Sequence, residues 1–437
     1  MNKKIYGIRF TPSDSAPNVT RICDAAHLEY RQQIGDDVAF SDFDSCYPWS
    51  EIKECNILSD GSVVYSGDNG FSRDKNTFIE VPAFYFKRTV SGDTEEWMIS
   101  GYKHDGFEIE PWFVGEKGEL LSNRYIAKYE GCDWRSGLVS ATGQIPCRNH
   151  SIDEFKAGCN SAGFSLCSIY AYLAIQHLFV IECATLDSQS INSGVSYVPY
   201  ASHVECICEE SGVSNTATVP YHWRWETVEI GSVIYADDHT ASEWVISDPR
   251  TLVSMERDGD FIKLTLSGEP IKFVEGKTRV YSSAQASGRC DDMSYVNGRP
   301  SANTHTSAFV YRGIENIFGN TWEFMDGIVF SEEHSRFEVF GNMLAYETPS
   351  NHSYGQSGKG FVAELGYDIN NPWATLTCKL GASYDSHYCA EWSCFGEGKS
   401  AVVYGGGWDH FYCNGIFCMR AVFQNGAEWL YGYRAMK

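Results

Sequence analysis

The C-terminal stretch of the chain, residues 402–436, limits the choice of folds most strongly. Three glycines at 405–407 lead into Trp408, and the chain closes on the triplet Gly-Tyr-Arg at 432–434. Domain termini usually fray and carry simple polar residues. Because this terminus is rich in aromatic residues and glycine, we expect it to be held in the protein core.

Within this stretch, residues 409–414 read DHFYCN and show neither the alternation of a strand nor the period of a helix. Aromatic side chains mixed with small polar groups combine rigid contact area with adaptable hydrogen bonding, as in paratopes. We predict that 409–414 forms an exposed ligand-binding face. The alternative is that Phe411 and Tyr412 belong to the core, where we expect Phe417 to lie.

Charge and composition exclude several classes of partner. The chain has 437 residues and a net charge of −23, from 34 basic and 57 acidic side chains. A field of this sign repels phosphate backbones, so we do not expect a nucleic-acid partner. No apolar run reaches the roughly 18 residues of a membrane span, and we see no signal peptide at the N-terminus. The 16 cysteines, diluted through a long chain, favour cytoplasmic synthesis and reduced, buried thiols.

Local patterns predict strands on both sides of a short helical region. Residues 1–120 and about 195–285 read as strands and turns, with a hairpin turn at 258–259. Ser151 and Glu154 form a capping box that opens a helix ending near Gly163. A second helix, apolar nearly all round, is predicted from about Ser168 to Leu186 and should be buried.

Two polar residues, His177 and Glu182, lie inside the second predicted helix. A polar residue on a buried helix is usually a core group whose hydrogen bonds are satisfied. We therefore expect both side chains to have a structural role and not a catalytic one.

Four segments together resemble a known family. Residues 319–324 read GNTWEF, which is similar to the GN-x-W-E-W signature of the formylglycine-generating-enzyme type of C-type lectin fold. The segments GGW at 406–408, RA at 420–421 and GYR at 432–434 are similar to the C-terminal pattern of that fold. The longer segment 312–327 resembles phage tail proteins diversified by retroelements, known as diversity-generating-retroelement variable proteins.

This resemblance implies an α+β fold with two domains. Residues 121–437 would form a C-type-lectin-like ligand-binding domain with a β-rich insertion at about 195–285. Residues 1–120 would form a β-rich attachment or oligomerisation domain.

The resemblance also implies a function, which is receptor binding for host attachment at the tail tip of a phage or prophage. The virion protein would bind a bacterial surface protein or glycan, contact other tail proteins and form a homotrimer, with no cofactor. In the family, a reverse-transcriptase system rewrites adenines in the C-terminal coding repeat. The positions expected to vary, and so to bind ligand, are Asp409, His410, Phe411, Tyr412, Cys413, Asn414, Cys418, Leu430 and Tyr431. The expected scaffold of the site is Gly406, Trp408, Trp322, Asn320, Trp429 and Arg434.

Two alternatives remain at this point. The same fold hosts a copper oxidase with two cysteines five residues apart, and Cys413 and Cys418 have that spacing. Paired thiols can bind copper(I). In the enzyme, however, the first cysteine stands where this chain has His410, so we predict no catalytic and no metal-binding residue. The other alternative is a purely structural tail component.

Overall fold

The computed structural model describes most of the chain. The described residues are 3–14, 18–196, 198, 206–238, 249–293, 297–302, 306–331, 336–344, 358–382, 392–395, 399–410 and 414–437.

The fold is β-rich, and the predicted α+β class is wrong. Among the described residues, the α-helices are α1, Ile152–Ser161, and α2, Ile169–Cys183. Short strands precede and follow these two helices along the whole chain. The helical patterns were read correctly, but they cover only a small part of the sequence. Strands cover a much larger share of the described residues than the two helices do, which decides the class.

The N-terminal sheet consists of five strands and lies entirely within the first 110 residues. In spatial order its strands are Glu108–Ile109, Tyr85–Ser91, Thr94–Ser100, Ile5–Phe10 and Thr20–Cys23.

The terminal sheet consists of six strands and includes the end of the chain. In spatial order they are Ser165–Leu166, Ala435–Met436, Asn123–Ala127, Thr77–Pro82, Lys53–Ile57 and Val63–Tyr65. Strands from both sides of residue 120 therefore pair within one sheet, through the antiparallel register of Ile79 with Ile126. The division of the chain into two domains at about residue 120 stays a prediction, and this sheet crosses it.

The insertion sheet lies between residues 216 and 282 and has five strands. They are Thr216–Pro220, Phe261–Leu266, Arg250–Asp258, Val233–Asp238 and Thr278–Ser282. The predicted hairpin turn is confirmed, because Asp258 pairs with Phe261 across it. A two-stranded ribbon, Gly212–Ser214 with Ile271–Phe273, accompanies this sheet.

The large sheet has nine strands and carries the C-terminal stretch. The order is Asn342–Met343, Arg336–Val339, Trp322–Ser331, Lys399–Tyr404, Met419–Phe423, Trp392–Phe395, Gly358–Leu365 and Thr377–Ala382, with Tyr431–Gly432 beside Trp322–Ser331. The remaining short strands are Tyr30–Arg31 with Phe40–Ser41, and the set Ile314–Glu315, Val310–Tyr311, Gly298–Arg299 and Gln33–Ile34.

Both helices match the sequence prediction closely. The Ser151 hydroxyl accepts a hydrogen bond from the Glu154 amide, and the Glu154 carboxylate accepts one from the Ser151 amide at 2.7 Å, which completes the capping box. Helix α2 is buried on nearly every side, as its apolar sequence predicts. None of the helices within the described ranges is long and apolar enough to cross a membrane.

The polar residues of α2 are satisfied core groups, as expected. His177 contacts the Glu110 carboxylate at 2.5 Å and the Thr375 hydroxyl at 2.9 Å. Glu182 accepts hydrogen bonds from Ser41 at 2.8 Å, Tyr311 at 2.9 Å and Arg312 Nε at 3.0 Å. These bonds join α2 to distant parts of the chain.

One hydrophobic core joins the N-terminal part, α2 and the C-terminal stretch. It includes Trp97 from the N-terminal sheet, Phe179 from α2, and Phe417 and Met419 from the C-terminal stretch. The expectation that the chain terminus is held in the core is therefore confirmed, as is the burial of Phe417.

Candidate functional site

Asn320 and Glu130 fix the turn that precedes the strand Trp322–Ser331. The Asn320 backbone is left-handed, with φ 63°, a conformation that asparagine tolerates better than most residues. Its side chain donates to Glu130 and accepts from the Gln285 amide at 2.6 Å. Glu130 also accepts from the Thr321 amide at 2.9 Å. The scaffold role predicted for Asn320 agrees with this burial and bonding.

Arg434 ties the end of the chain to the same strand. Its guanidinium forms two bonds to the Glu323 carboxylate, at 2.6 Å and 3.0 Å, and is almost completely buried. It also donates to the carbonyls of Ala127 and Asn316, at 3.1 Å and 2.8 Å. Breaking such a buried pair leaves an uncompensated charge, so Arg434 is a structural anchor.

Gly406 lies at the closest approach of two backbone segments. It has φ +85°, and a Cβ added there would lie 2.0 Å from Asn414 Oδ1. Asn414 in turn donates to the carbonyls of Gly407 and Val195, at 3.1 Å and 3.2 Å. These bonds hold Asn414, the last residue of segment 409–414, against Gly407 and Val195.

Trp408 and Trp429 connect the C-terminal stretch to the insertion. Their rings meet edge to face with centroids 4.8 Å apart. Trp408 is fully buried in the hydrophobic cluster of the insertion, and Trp429 packs partly buried against it. Trp322, the third scaffold tryptophan, is buried and lies edge-on to the His410 ring at 4.9 Å.

The residues predicted to vary fall into three groups. Asn414, Cys418 and Tyr431 are buried, with exposed fractions of 0%, 0% and 1%, so their side chains are not on any surface of the folded chain. Phe411, Tyr412 and Cys413 lie outside the described residues. Asp409, His410 and Leu430 are partly exposed and remain at the surface.

Two of the three buried positions, Cys418 and Tyr431, are buried by contacts with residues far away in the sequence. Tyr431 pairs with Trp322 in parallel register, which turns its ring against Phe324. Cys418 immediately precedes the strand Met419–Phe423 and packs in the core cluster that contains Trp322. The local sequence reveals neither the pairing of Tyr431 nor the packing of Cys418.

Charged groups gather around Asp409 and His410. We call Asp409, His410, Arg420, Glu428 and Leu430 the C-terminal face. Burial raises the pKa of Asp409 to about 6, although the charge of Arg420 opposes this shift. Burial, and then the charge of Arg420, lower the pKa of His410 to about 3. At neutral pH the face therefore holds a carboxylate at Asp409 and a neutral imidazole at His410.

Two atoms of this face are unpaired. Asp409 Oδ1 and His410 Nδ1 are buried and have no hydrogen-bond partner among the residues that the structure describes. Buried polar atoms in folded proteins are almost always hydrogen-bonded. Both residues are partly exposed as a whole, so they lie at the margin of the surface.

The loop beside these atoms is exposed, but its backbone is anchored. Glu428 is exposed, while its carbonyl accepts from the Asn149 amide at 3.2 Å. The next two carbonyls, of Trp429 and Leu430, accept from Arg148 Nη1 at 3.3 Å and from the Trp322 amide at 3.1 Å. Consecutive anchors of this kind fix the position of the displayed side chains.

Sequence reasoning missed two residues of this face, Arg420 and Glu428. Arg420 belongs to the RA segment at 420–421 that carries the resemblance, and neither residue is among the positions expected to vary. The guanidinium of Arg420 lies 5.9 Å from the centre of the Tyr431 ring, which is a cation–π distance. This proximity is a tertiary contact, and the sequence around Arg420 carries no local signal for it.

The thiol pair of the oxidase alternative is only partly described. Cys418 is buried, whereas Cys413 lies outside the described residues. Within the described part of the chain, no cluster of three or more His, Cys, Asp or Glu side chains could hold a metal ion.

A scan against protein-family models finds no match for this chain, and a search of curated proteins finds none either. Functional reasoning therefore rests on the C-terminal face and on the residues that carry the sequence resemblance.

Proposed function

We propose that this protein binds a ligand through its C-terminal face and acts as the receptor-binding protein of a phage or prophage tail tip. The ligand is a bacterial surface protein or glycan. The observation that carries the proposal is the group of polar residues Asp409, His410, Arg420 and Glu428, which are partly or fully exposed beside a loop whose backbone is anchored. A partner that supplies a hydrogen-bond donor to the Asp409 carboxylate forms a charge-assisted hydrogen bond.

The charges of the face favour a polar ligand. Arg420 offers up to five N–H donors, while Asp409 and Glu428 offer carboxylate acceptors. Leu430, which is partly exposed, adds apolar surface. Carbonyls, amides and hydroxyls, the groups of proteins and glycans, satisfy such a mixture of donors and acceptors.

Anchoring of the loop supports binding over a merely structural role. Because the carbonyls at 428, 429 and 430 are held by Asn149, Arg148 and Trp322, little conformational entropy is lost when a ligand docks. Preorganisation of this kind raises affinity without additional contacts.

The tail-tip assignment rests on the resemblance of segments 312–327 and 406–434 to retroelement-diversified proteins. A homotrimer displaying three such faces would raise a weak single-site affinity through multivalency. The test is the neighbouring DNA, where we expect a near-copy of the 3′ coding sequence beside a reverse-transcriptase gene. A locus with neither of them would overturn the assignment to this family.

Binding itself is tested with fluorescently labelled protein on a panel of bacterial isolates, measured by flow cytometry. On the isolate that binds best, we expect Arg420→Ala to reduce binding at least about tenfold, as loss of a charged interface contact does. Arg9→Ala is the matched control, since Arg9 is an exposed arginine of the N-terminal sheet. Equal binding by the Arg420 variant and the wild type would contradict the proposal.

A further inference from the structure

A cavity of about 580 Å³ opens beside the terminal sheet and shares no residue with the C-terminal face. Its volume lies within the range of about 300–1,000 Å³ typical of small-molecule sites. Its chemically distinctive lining residues are Tyr47, Glu51, Lys53, Glu80, Tyr102 and Asn123.

The polar residues Lys53 and Glu80 of the cavity lie on the same face of the terminal sheet as residues that pack in the core. Lys53 pairs with Glu80 on the neighbouring strand. Two residues further along these strands, on the same side of the sheet, Cys55 and Phe78 are buried in a hydrophobic cluster. The sheet face therefore changes from apolar to polar where the cavity begins.

Glu80 is the fixed acceptor of this wall. Its side chain is largely buried, at 8% exposure, and Asn123 Nδ2 donates to Oε1. The Tyr125 hydroxyl donates to the same oxygen at 3.4 Å. Burying a carboxylate is costly, so one held at the rim of a cavity favours a role in binding.

A second part of the cavity lining is aromatic and tightly fitted. The Tyr47 ring lies directly over Gly101, where an added Cβ would come within 2.4 Å of it. The Tyr47 hydroxyl donates to the Ala83 carbonyl at 2.5 Å, which holds the ring in place. Tyr102, next to Gly101, presents a partly exposed ring, at 38% exposure.

We propose that this cavity binds a neutral carbohydrate of one to three sugar units. A sugar has an apolar C–H face that packs on the rings of Tyr47 and Tyr102. Its hydroxyls donate to Glu51 and Glu80 and accept from Lys53 and Asn123, which matches the donors and acceptors of the wall. This site is separate from the C-terminal face, so the two proposals stand or fall independently.

The test is saturation-transfer-difference NMR on the full chain with glucose, galactose, N-acetylglucosamine, cellobiose, lactose and chitobiose, each at millimolar concentration. We expect at least one sugar to receive saturation from the protein. Tyr102→Ala should weaken that signal at least about fivefold, since aromatic residues dominate such contacts.

Phe261→Ala is the matched control, because Phe261 is exposed to a similar extent, 40% against 38% for Tyr102, and lies on the insertion sheet. It should leave the signal unchanged. A second variant, Glu80→Gln, should also weaken binding while the protein stays folded by circular dichroism. The proposal is overturned if no sugar receives saturation, or if Tyr102→Ala and Phe261→Ala change the signal to the same extent. It is also overturned if a diamine such as putrescine binds and the sugars do not.

Discussion

Gly406 shows how strongly a single position of the C-terminal stretch is determined by its surroundings. Its left-handed backbone and the 2.0 Å approach of Asn414 Oδ1 to an added Cβ leave no room for a side chain. The sequence predicted Gly406 as scaffold from its motif. The structure supplies the reason, which is the close crossing of residues 405–407 with Asn414.

We expect Gly406→Ala to lower the free energy of unfolding by more than the roughly 1–2 kcal/mol that a left-handed alanine costs. Gly61→Ala is the control, since Gly61 has nearly the same φ, +84°, with no atom within 4 Å of an added Cβ. Denaturant unfolding measures both. Equal losses in the two variants would show that the contact with Asn414 is unimportant.

Glu130 gives a prediction about pH. Burial, and then the charge of Glu323, raise the pKa of Glu130 from 4.5 to about 8. Between these values the folded chain holds a proton that the unfolded chain has lost. Raising the pH through this window therefore destabilises the fold, by at most about 1.4 kcal/mol per pH unit from this group.

Unfolding free energies at about pH 5 and about pH 8 test this expectation. The decrease between the two should be larger for the wild type than for Glu130→Gln, whose amide does not titrate. Subtracting the decrease of the variant from that of the wild type removes the contribution of the other titrating groups, which both proteins share. A variant whose stability falls as steeply as that of the wild type would disprove the raised pKa.

At the scale of elements, short sequence patterns predicted the features that depend only on neighbouring residues. The capping box at Ser151, the apolar helix that became α2, and the hairpin turn at 258–259 all appear in the structure. The sequence did not reveal that Trp322 and Tyr431 are neighbours in parallel strands. That pairing buries Tyr431, and no local pattern encodes it, which is why the predicted variable face contained buried positions.

The capping box of α1 is open to a direct test. Ser151→Ala should lower the free energy of unfolding by about 1 kcal/mol, because the Glu154 amide loses its acceptor. Ser165→Ala, an exposed serine on a two-residue strand, should change it little. Chemical denaturation monitored by circular dichroism compares the two. If Ser151→Ala lowered the free energy of unfolding no more than Ser165→Ala does, the assigned cap would be contradicted.

At the scale of the whole molecule, the strands of the terminal sheet come from residues 53–82, 123–127, 165–166 and 435–436. The major core likewise combines Trp97 with Phe417, whose rings lie 6.5 Å apart. Composition and strand patterns predicted a β-rich first 120 residues. The shared sheet was not predictable, because pairing between distant strands leaves no trace in either segment alone.

This arrangement predicts that a fragment of residues 121–437 is much less stable than the full chain. Removing 1–120 would uncover Ile126 and Phe417 and leave the strand Asn123–Ala127 without one of its neighbours. We expect the fragment to aggregate or to unfold at least about 10 °C lower, in line with the loss of several kcal/mol. A fragment as thermostable as the full chain would show that the first 120 residues fold separately.

The central claim, that the C-terminal face binds a ligand, is tested most directly by the pH dependence of binding to the best-binding isolate. Because burial raises the pKa of Asp409 to about 6, its carboxylate is mostly neutral below that pH and charged above it. Ionised acceptors form the stronger hydrogen bonds. We predict that the affinity of the wild type rises severalfold between about pH 5 and about pH 7.5, and that Asp409→Asn abolishes this rise. The same rise in the Asp409 variant would contradict the account.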